Sequence, residues 1–283
     1  MKKQTNENLL KYSLTSPWQF SLVVLLYLVG AVSFPVDVIS FLMEGYAGAN
    51  FVATLFARLI CCILPIYLIF SLNLSSVILP DKPNKTQLFI IPFLLVAINN
   101  FPFIAIFTKN AIFTTSRWDI WMFYLFAVLS AVLLEELVFR GLILPTLYRK
   151  FKGKRNCGFL TVLFSSLLFG VVHLFNLLAG SSPIAVIMQM GYSFLIGGMC
   201  AIAFLKTGSF YSAVLLHFLF NVGGMLIDYK MLSGAIWDAA TIIITGVLAV
   251  IVIVYAIFLL FKASNSIFEK KVLLKESEVL DVE

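Results

Sequence analysis

The sequence predicts an all-α polytopic membrane protein, a bundle of about eight transmembrane helices forming one domain over 1–283. Three observations carry this. Of the 283 residues, 61% are hydrophobic and only 12% charged, against roughly 45–50% and 25% in soluble domains. The apolar residues come in runs of about twenty, the length that crosses a hydrocarbon core as a helix. The joints between the runs are short and polar, and no linker rich in Gly, Pro or Ser divides the chain.

Taken in order, the spans are expected near 18–34, 51–73, 87–107, 120–148, 158–178, 184–205, 209–228 and 238–261. Pro35, Pro80, Pro83 and Pro183 fall in or beside joints, where a residue that cannot continue a helix belongs. Pro65, Pro92 and Pro102 lie inside expected spans and predict kinks. The pair Asn99-Asn100, ahead of Phe101-Pro102, is either a break in the third span or a pair of satisfied interhelical polar contacts. Lys2 and Lys3 precede an apolar stretch ending in GAVS (30–33), as in a secretory signal. The long polar leader and the spans that follow favour an uncleaved first helix. The tail, 262–283, mixes charge signs with some apolar spacing and is expected to be an amphipathic or disordered cytoplasmic end.

Orientation follows from the basic residues. Lys2, Lys3 and Lys11, Lys82 and Lys85, the run Arg149, Lys150, Lys152, Lys154 and Arg155, Lys206, and Lys262, Lys270, Lys271 and Lys275 all fall on one side. Lys109, Arg117 and Lys230 fall on the other, and Arg58 and Arg140 lie within spans. The positive-inside rule then sets both termini in the cytoplasm of a cell membrane. The net charge of +6 is that of a cytoplasmic leaflet anchor, so nucleic acid is not an expected partner. Cys61, Cys62, Cys157 and Cys200 show neither a disulfide framework nor a metal-binding spacing.

The informative residues are the ionisable ones inside the spans: Arg58, Glu135, Glu136, Arg140, His173 and His217, which include both histidines of the protein. Each costs about 2.5–3.5 kcal/mol on insertion scales, so such groups face a bundle interior or a watery cavity and mark function. Glu136 and Arg140 are four apart with the carboxylate N-terminal, the favourable order for an ion pair on one face. Glu135 is turned about 100° away from Glu136 and is left for other work. Phe169 precedes His173 by one turn, beside the small residues Ser165, Ser166 and Gly170. Asn221 follows His217 by one turn and points the same way. Counting at about 1.5 Å per residue sets Glu135 about 21 Å from Arg149, near mid-bilayer with His217, and leaves His173 nearer the outer end.

A carboxylate and a histidine can hold and deprotonate a water, and a second histidine with an asparagine can donate hydrogen bonds to the oxyanion its attack creates. The chemistry inferred is peptide hydrolysis without a covalent intermediate, since no G-x-S-x-G or other strong nucleophile motif is present.

The motifs E-E-x-x-x-R (Glu135, Glu136, Arg140), F-x-x-x-H (Phe169, His173) and H-x-x-x-N (His217, Asn221), in that order on three spans, resemble the CPBP intramembrane proteases. That family is named for CAAX prenyl endopeptidases and bacteriocin-processing or immunity proteins. The resemblance covers a core of about 118–228. It implies that Glu135 and His173 activate the water, that His217 and Asn221 form the oxyanion site, and that Glu136, Arg140 and Phe169 support them. It also implies a peptide or membrane-protein substrate and the lipid bilayer as partners. Members have been labelled metalloproteases; with no H-E-x-x-H, a mechanism without cofactor or metal is expected, and a zinc-dependent version is the alternative. A non-catalytic immunity or scaffold protein is a further alternative. The lean toward Ile, Phe, Lys and Asn is read as bacterial, which favours a leader, signalling or bacteriocin peptide over a prenylated end. The basic joint RKFKGKR (149–155) is read as an inside anchor rather than a substrate-steering patch.

Overall fold

The computed structural model describes residues 2–80, 85–236, 238–262 and 265–273, without the side chains of residues 2–5 or Leu273. Lys82, Pro83, Lys275 and the rest of the tail past Leu273 lie outside the described residues.

The helices run α1 (Lys2–Thr15), α2 (Pro17–Val32), α3 (Asp37–Ser40), α4 (Ala49–Ser71), α5 (Ser75–Ile78), α6 (Ile91–Asn99), α7 (Phe103–Phe107), α8 (Trp118–Glu136), α9 (Leu144–Phe151), α10 (Cys157–Val171), α11 (Pro183–Thr207), α12 (Phe210–Gly224), α13 (Ala239–Lys262) and α14 (Ser266–Leu273). A π-helical stretch, Leu137–Ile143, joins α8 to α9, and a 3₁₀ stretch, Val172–Leu177, prolongs α10. Among the described residues, six helical segments are long and apolar enough to cross a membrane: Pro17–Met43, Ala49–Ser71, Trp118–Phe151, Cys157–Leu177, Pro183–Thr207 and Ala239–Lys262. Two shorter apolar ones, Lys85–Asn99 and Phe210–Gly224, occupy the third and seventh expected spans. The chain is an all-α polytopic membrane protein.

The third expected span is shorter than its hydropathy suggested. The helix stops at Asn99, and α7 restarts after Pro102. Both asparagines are satisfied across helices: Asn99 Nδ2 donates to Thr245 Oγ1 at 2.9 Å, and Asn100 Nδ2 donates to the Phe220 carbonyl at 2.7 Å. Break and polar contact thus coincide: the helix stops where the two asparagine side chains bind α12 and α13. Pro92 sits in the first turn of α6, where its missing N–H costs nothing, so the kink expected there is a helix start. Pro65 lies within the continuous helix α4.

Two devices align the helices that carry the charged motifs. Outside the bundle, an antiparallel ribbon of Ala111–Phe113 and Leu232–Gly234 pairs Ala111 with Gly234 and Phe113 with Leu232. It clips the segment entering α8 to the segment leaving α12. Deeper in, the Tyr124 hydroxyl on α8 donates to the Val222 carbonyl on α12 at 2.6 Å, and Tyr124, Phe51 and Tyr229 meet edge to face. At the other end, the turn between α11 and α12 is buried: Lys206, Thr207 and Phe210 are all nearly inaccessible. Helix α14 covers it. Phe268 packs on Phe204 and Tyr148, and the Lys206 ammonium donates to Asn265 Oδ1 at 2.6 Å. The first part of the tail is therefore a docked amphipathic helix.

That buried turn resolves the depth mismatch of the two histidines. Glu135 lies about 21 Å along its helix from Arg149, and His173 about 24 Å along α10 from Cys157. Helix α12 is short and begins at a recessed turn, so His217, two turns into it, reaches the same level.

Candidate active site

The charged stretch of α8 lies in the most enclosed part of the fold, where every residue from Glu136 to Tyr148 is buried. The α-helix gives way to π-helix immediately after Glu136. Such widened turns concentrate at functional sites because they re-aim side chains. Arg140 stays within reach of the preceding turn, with Nη1 3.1 Å from Glu136 Oε1, and both side chains are essentially inaccessible. This contact is an ion pair without hydrogen-bond alignment. The guanidinium's directed hydrogen bond runs elsewhere, from Nη2 to the Gly197 carbonyl at 2.8 Å. Its plane lies over the Phe169 ring, 5.0 Å from the centroid. Glycine at 197 leaves room for this approach, since a Cβ there would stand 3.0 Å from the Phe169 Cβ and Cγ and press the ring aside.

Glu136 makes a second contact that helix spacing could not supply. Its Oε1 is 2.8 Å from His217 Nδ1, across 81 residues of sequence. An ionised carboxylate can only accept, so Nδ1 carries the proton and the second ring nitrogen, Nε2, faces the rest of the cluster. Asn221 Nδ2 lies 3.1 Å from that Nε2, and Glu135 Oε2 lies 3.8 Å from it. The last distance is too long for a hydrogen bond. Glu136, His217 and Asn221 thus form a chain, with Glu135 at its open end.

His173 stands on the 3₁₀ turn after α10, where the helix tightens at its end. The Phe169 ring mediates between the histidines, 6.0 Å from the His173 ring and 5.5 Å from the His217 ring, both edge to face. The two imidazoles also interact electrostatically. All seven residues singled out from the sequence, Glu135, Glu136, Arg140, Phe169, His173, His217 and Asn221, are in one neighbourhood. Exposure grades them. Glu136 and Arg140 are wholly enclosed and His217 nearly so, whereas Glu135 keeps 17% of its side-chain surface open, and His173 and Asn221 are half-buried.

Arg58 is the residue the motifs did not assign. It sits on α4, buried, and donates to the carbonyls of Ala31 and Val32 at the end of α2, the second at 2.6 Å. It also interacts electrostatically with Glu135 and Tyr229. Its signal in the sequence was charge balance: the spans hold two carboxylates and two guanidiniums, and helix geometry pairs only one of each.

A zinc site does not fit these residues. Among the described residues no three His, Cys, Asp or Glu side chains converge on one point, and Glu136 and His217 Nδ1 are committed to each other.

Fold and cluster together define a multi-pass membrane protein with a carboxylate, imidazole and amide centre inside its spans. Residues 117–223 match the family described as Type II CAAX prenyl endopeptidase Rce1-like, in agreement with the resemblance read from the three motifs. The matched segment contains all seven residues named above. No curated protein and no solved structure matches the chain.

Proposed function

We propose that the chain is an intramembrane endopeptidase of the glutamic type, with both termini in the cytoplasm. The observation that supports this reading best is the pair of contacts on one imidazole: Glu136 on His217 Nδ1 at 2.8 Å and Glu135 facing Nε2 at 3.8 Å. Glu135, the more open carboxylate, takes a proton from a water held between it and His173, and that water attacks the scissile carbonyl; collapse of the tetrahedral intermediate then breaks the C–N bond, and Glu135 returns the proton to the departing amine. Asn221 and His217 receive the developing oxyanion. For His217 to donate from Nε2 it must carry both ring protons, with Glu136 and Glu135 as counter-charges, and the Asn221 amide must turn from Nε2, which it faces at 3.1 Å, to donate to the oxyanion instead. Preorganised donors of this kind are each worth about 2.7–4 kcal/mol in the transition state. Glu136, Arg140 and Phe169 hold the imidazole and do not react.

The test is cleavage by the purified protein in detergent, with substrates found by comparing the peptides of membranes carrying the active or the Glu135→Ala protein. Glu135→Ala, His173→Ala and His217→Ala are each expected to lower turnover by about 100-fold or more. Full activity in all three overturns the proposal. Loss of activity to chelators would transfer it to the zinc-dependent alternative. A biological effect that survives replacement of Glu135 and His173 in correctly inserted protein would favour the non-catalytic immunity or scaffold reading.

A further inference from the structure

Behind the catalytic cluster the structure holds a second concave site. Gly197 turns toward Phe169 and the charges, but its neighbour Gly198 lines a groove of about 290 Å³ on the other side of the same wall, between α10, α11 and α13. The groove is almost wholly apolar, floored by Val162, Ser166 and Met199 and closed on its far side by α13. Small side chains make the concavity, since Gly198, Ala249 and Ala256 all border it. At one end it runs into a polar mouth formed by Arg155, Asn156 and Asn265, and Phe159 and Leu260 line both. Lys154 and Lys262 lie next to that mouth in sequence and are exposed.

Its dimensions identify the occupant. From Ala249 to Leu260, α13 follows the groove for about 17 Å, roughly half of a ~30 Å hydrocarbon core. The apolar slot is therefore one leaflet deep, and its polar mouth lies at the end where Arg149, Lys150, Lys152, Lys154 and Arg155 gather. By the positive-inside rule that is the cytoplasmic end, where anionic lipids are concentrated. We infer that the groove and its mouth are a binding site for one anionic phospholipid of the cytoplasmic leaflet. An acyl chain lies along Gly198 and Ala256, and the phosphate is held by Arg155 with the amides of Asn156 and Asn265. The lipid fills the seam that joins α13 to the bundle.

The test uses full-length protein stripped of lipid in neutral detergent and titrated with phosphatidylglycerol or with phosphatidylcholine of the same chains. Melting temperature and lipid retained in native mass spectrometry are read together. Phosphatidylglycerol is expected to raise the melting temperature saturably, with one molecule retained, and phosphatidylcholine to do so weakly. Ala256→Phe, or the milder Ala249→Leu if the first fails to fold, should abolish the difference between the two lipids. Arg155→Glu should weaken phosphatidylglycerol about five-fold or more. Equal shifts from both lipids, or a headgroup preference that persists in the filled-groove variants, would overturn the inference in favour of ordinary solvation by the bilayer. Displacement of the bound lipid by one equivalent of a farnesylated peptide would overturn it in favour of a substrate-chain groove.

Discussion

The two most contrasting helical segments of the molecule are Trp118–Phe151 and α13. Both are long enough to span, yet the more hydrophobic is the less buried: mean hydropathy 2.0 with 56% of the window buried for the first, 3.1 with 11% for the second. In a soluble protein the order would be reversed, because water drives apolar residues inward. Here lipid is as good a solvent for Ile and Val as the interior is, so α13 has no need of burial. The charges have nowhere else to go. Glu136 and Arg140 cost least where each can meet the other and, in addition, His217 and the Gly197 carbonyl, so the polar segment is the one the bundle closes around.

The comparison breaks hardest at its most polar point. Glu135→Gln should lower turnover by about 10²–10⁴-fold while leaving thermal unfolding in detergent unchanged. Glu136→Gln should behave differently, removing the counter-charge of a buried guanidinium and costing about 3–5 kcal/mol of stability, seen as a fall in melting temperature together with lost activity. If both variants showed the same small loss of activity with unchanged folding, the assignment of one glutamate to chemistry and the other to support would be wrong. Gly197→Ala pushes a methyl into the Phe169 ring and should cost about 1–3 kcal/mol, with slower turnover because that ring sets both histidines. At the other extreme, Val254→Leu on the lipid face of α13 should change stability by less than about 0.5 kcal/mol and leave cleavage untouched. A large effect there would mean that α13 has a partner in the membrane.

Much of the fold was legible because span length and apolar composition are one-dimensional properties. The fourth expected span, 120–148, corresponds to Trp118–Phe151, and the last, 238–261, to Ala239–Lys262. The misreading fell on 87–107, where the run is apolar throughout but the backbone is interrupted. Hydropathy does not register that Asn100 has a carbonyl waiting on α12. The docking of α14 was equally hidden, because Phe268 and Val272 are only two apolar residues in a charged tail until Phe204 and Tyr148 supply a surface for them. Within the site, the Glu136 and Arg140 pair was readable as a local relation within one helix. The Glu136 bond to His217 was not, since it depends on how α8 and α12 are clipped together by the ribbon and by Tyr124.

By itself the sequence determined which groups had to be inside: the short list of ionisable residues in an apolar chain and their order in three motifs. Those follow from the cost of charge in hydrocarbon, which acts on each residue alone. Only the tertiary structure decided which carboxylate is enclosed and which stays open, which imidazole nitrogen is occupied, and that Arg58 binds the carbonyls at the end of α2. These depend on helix ends, a recessed turn and a π-helical stretch that bring distant side chains within about 3–4 Å, the range at which partial desolvation makes one contact outweigh another.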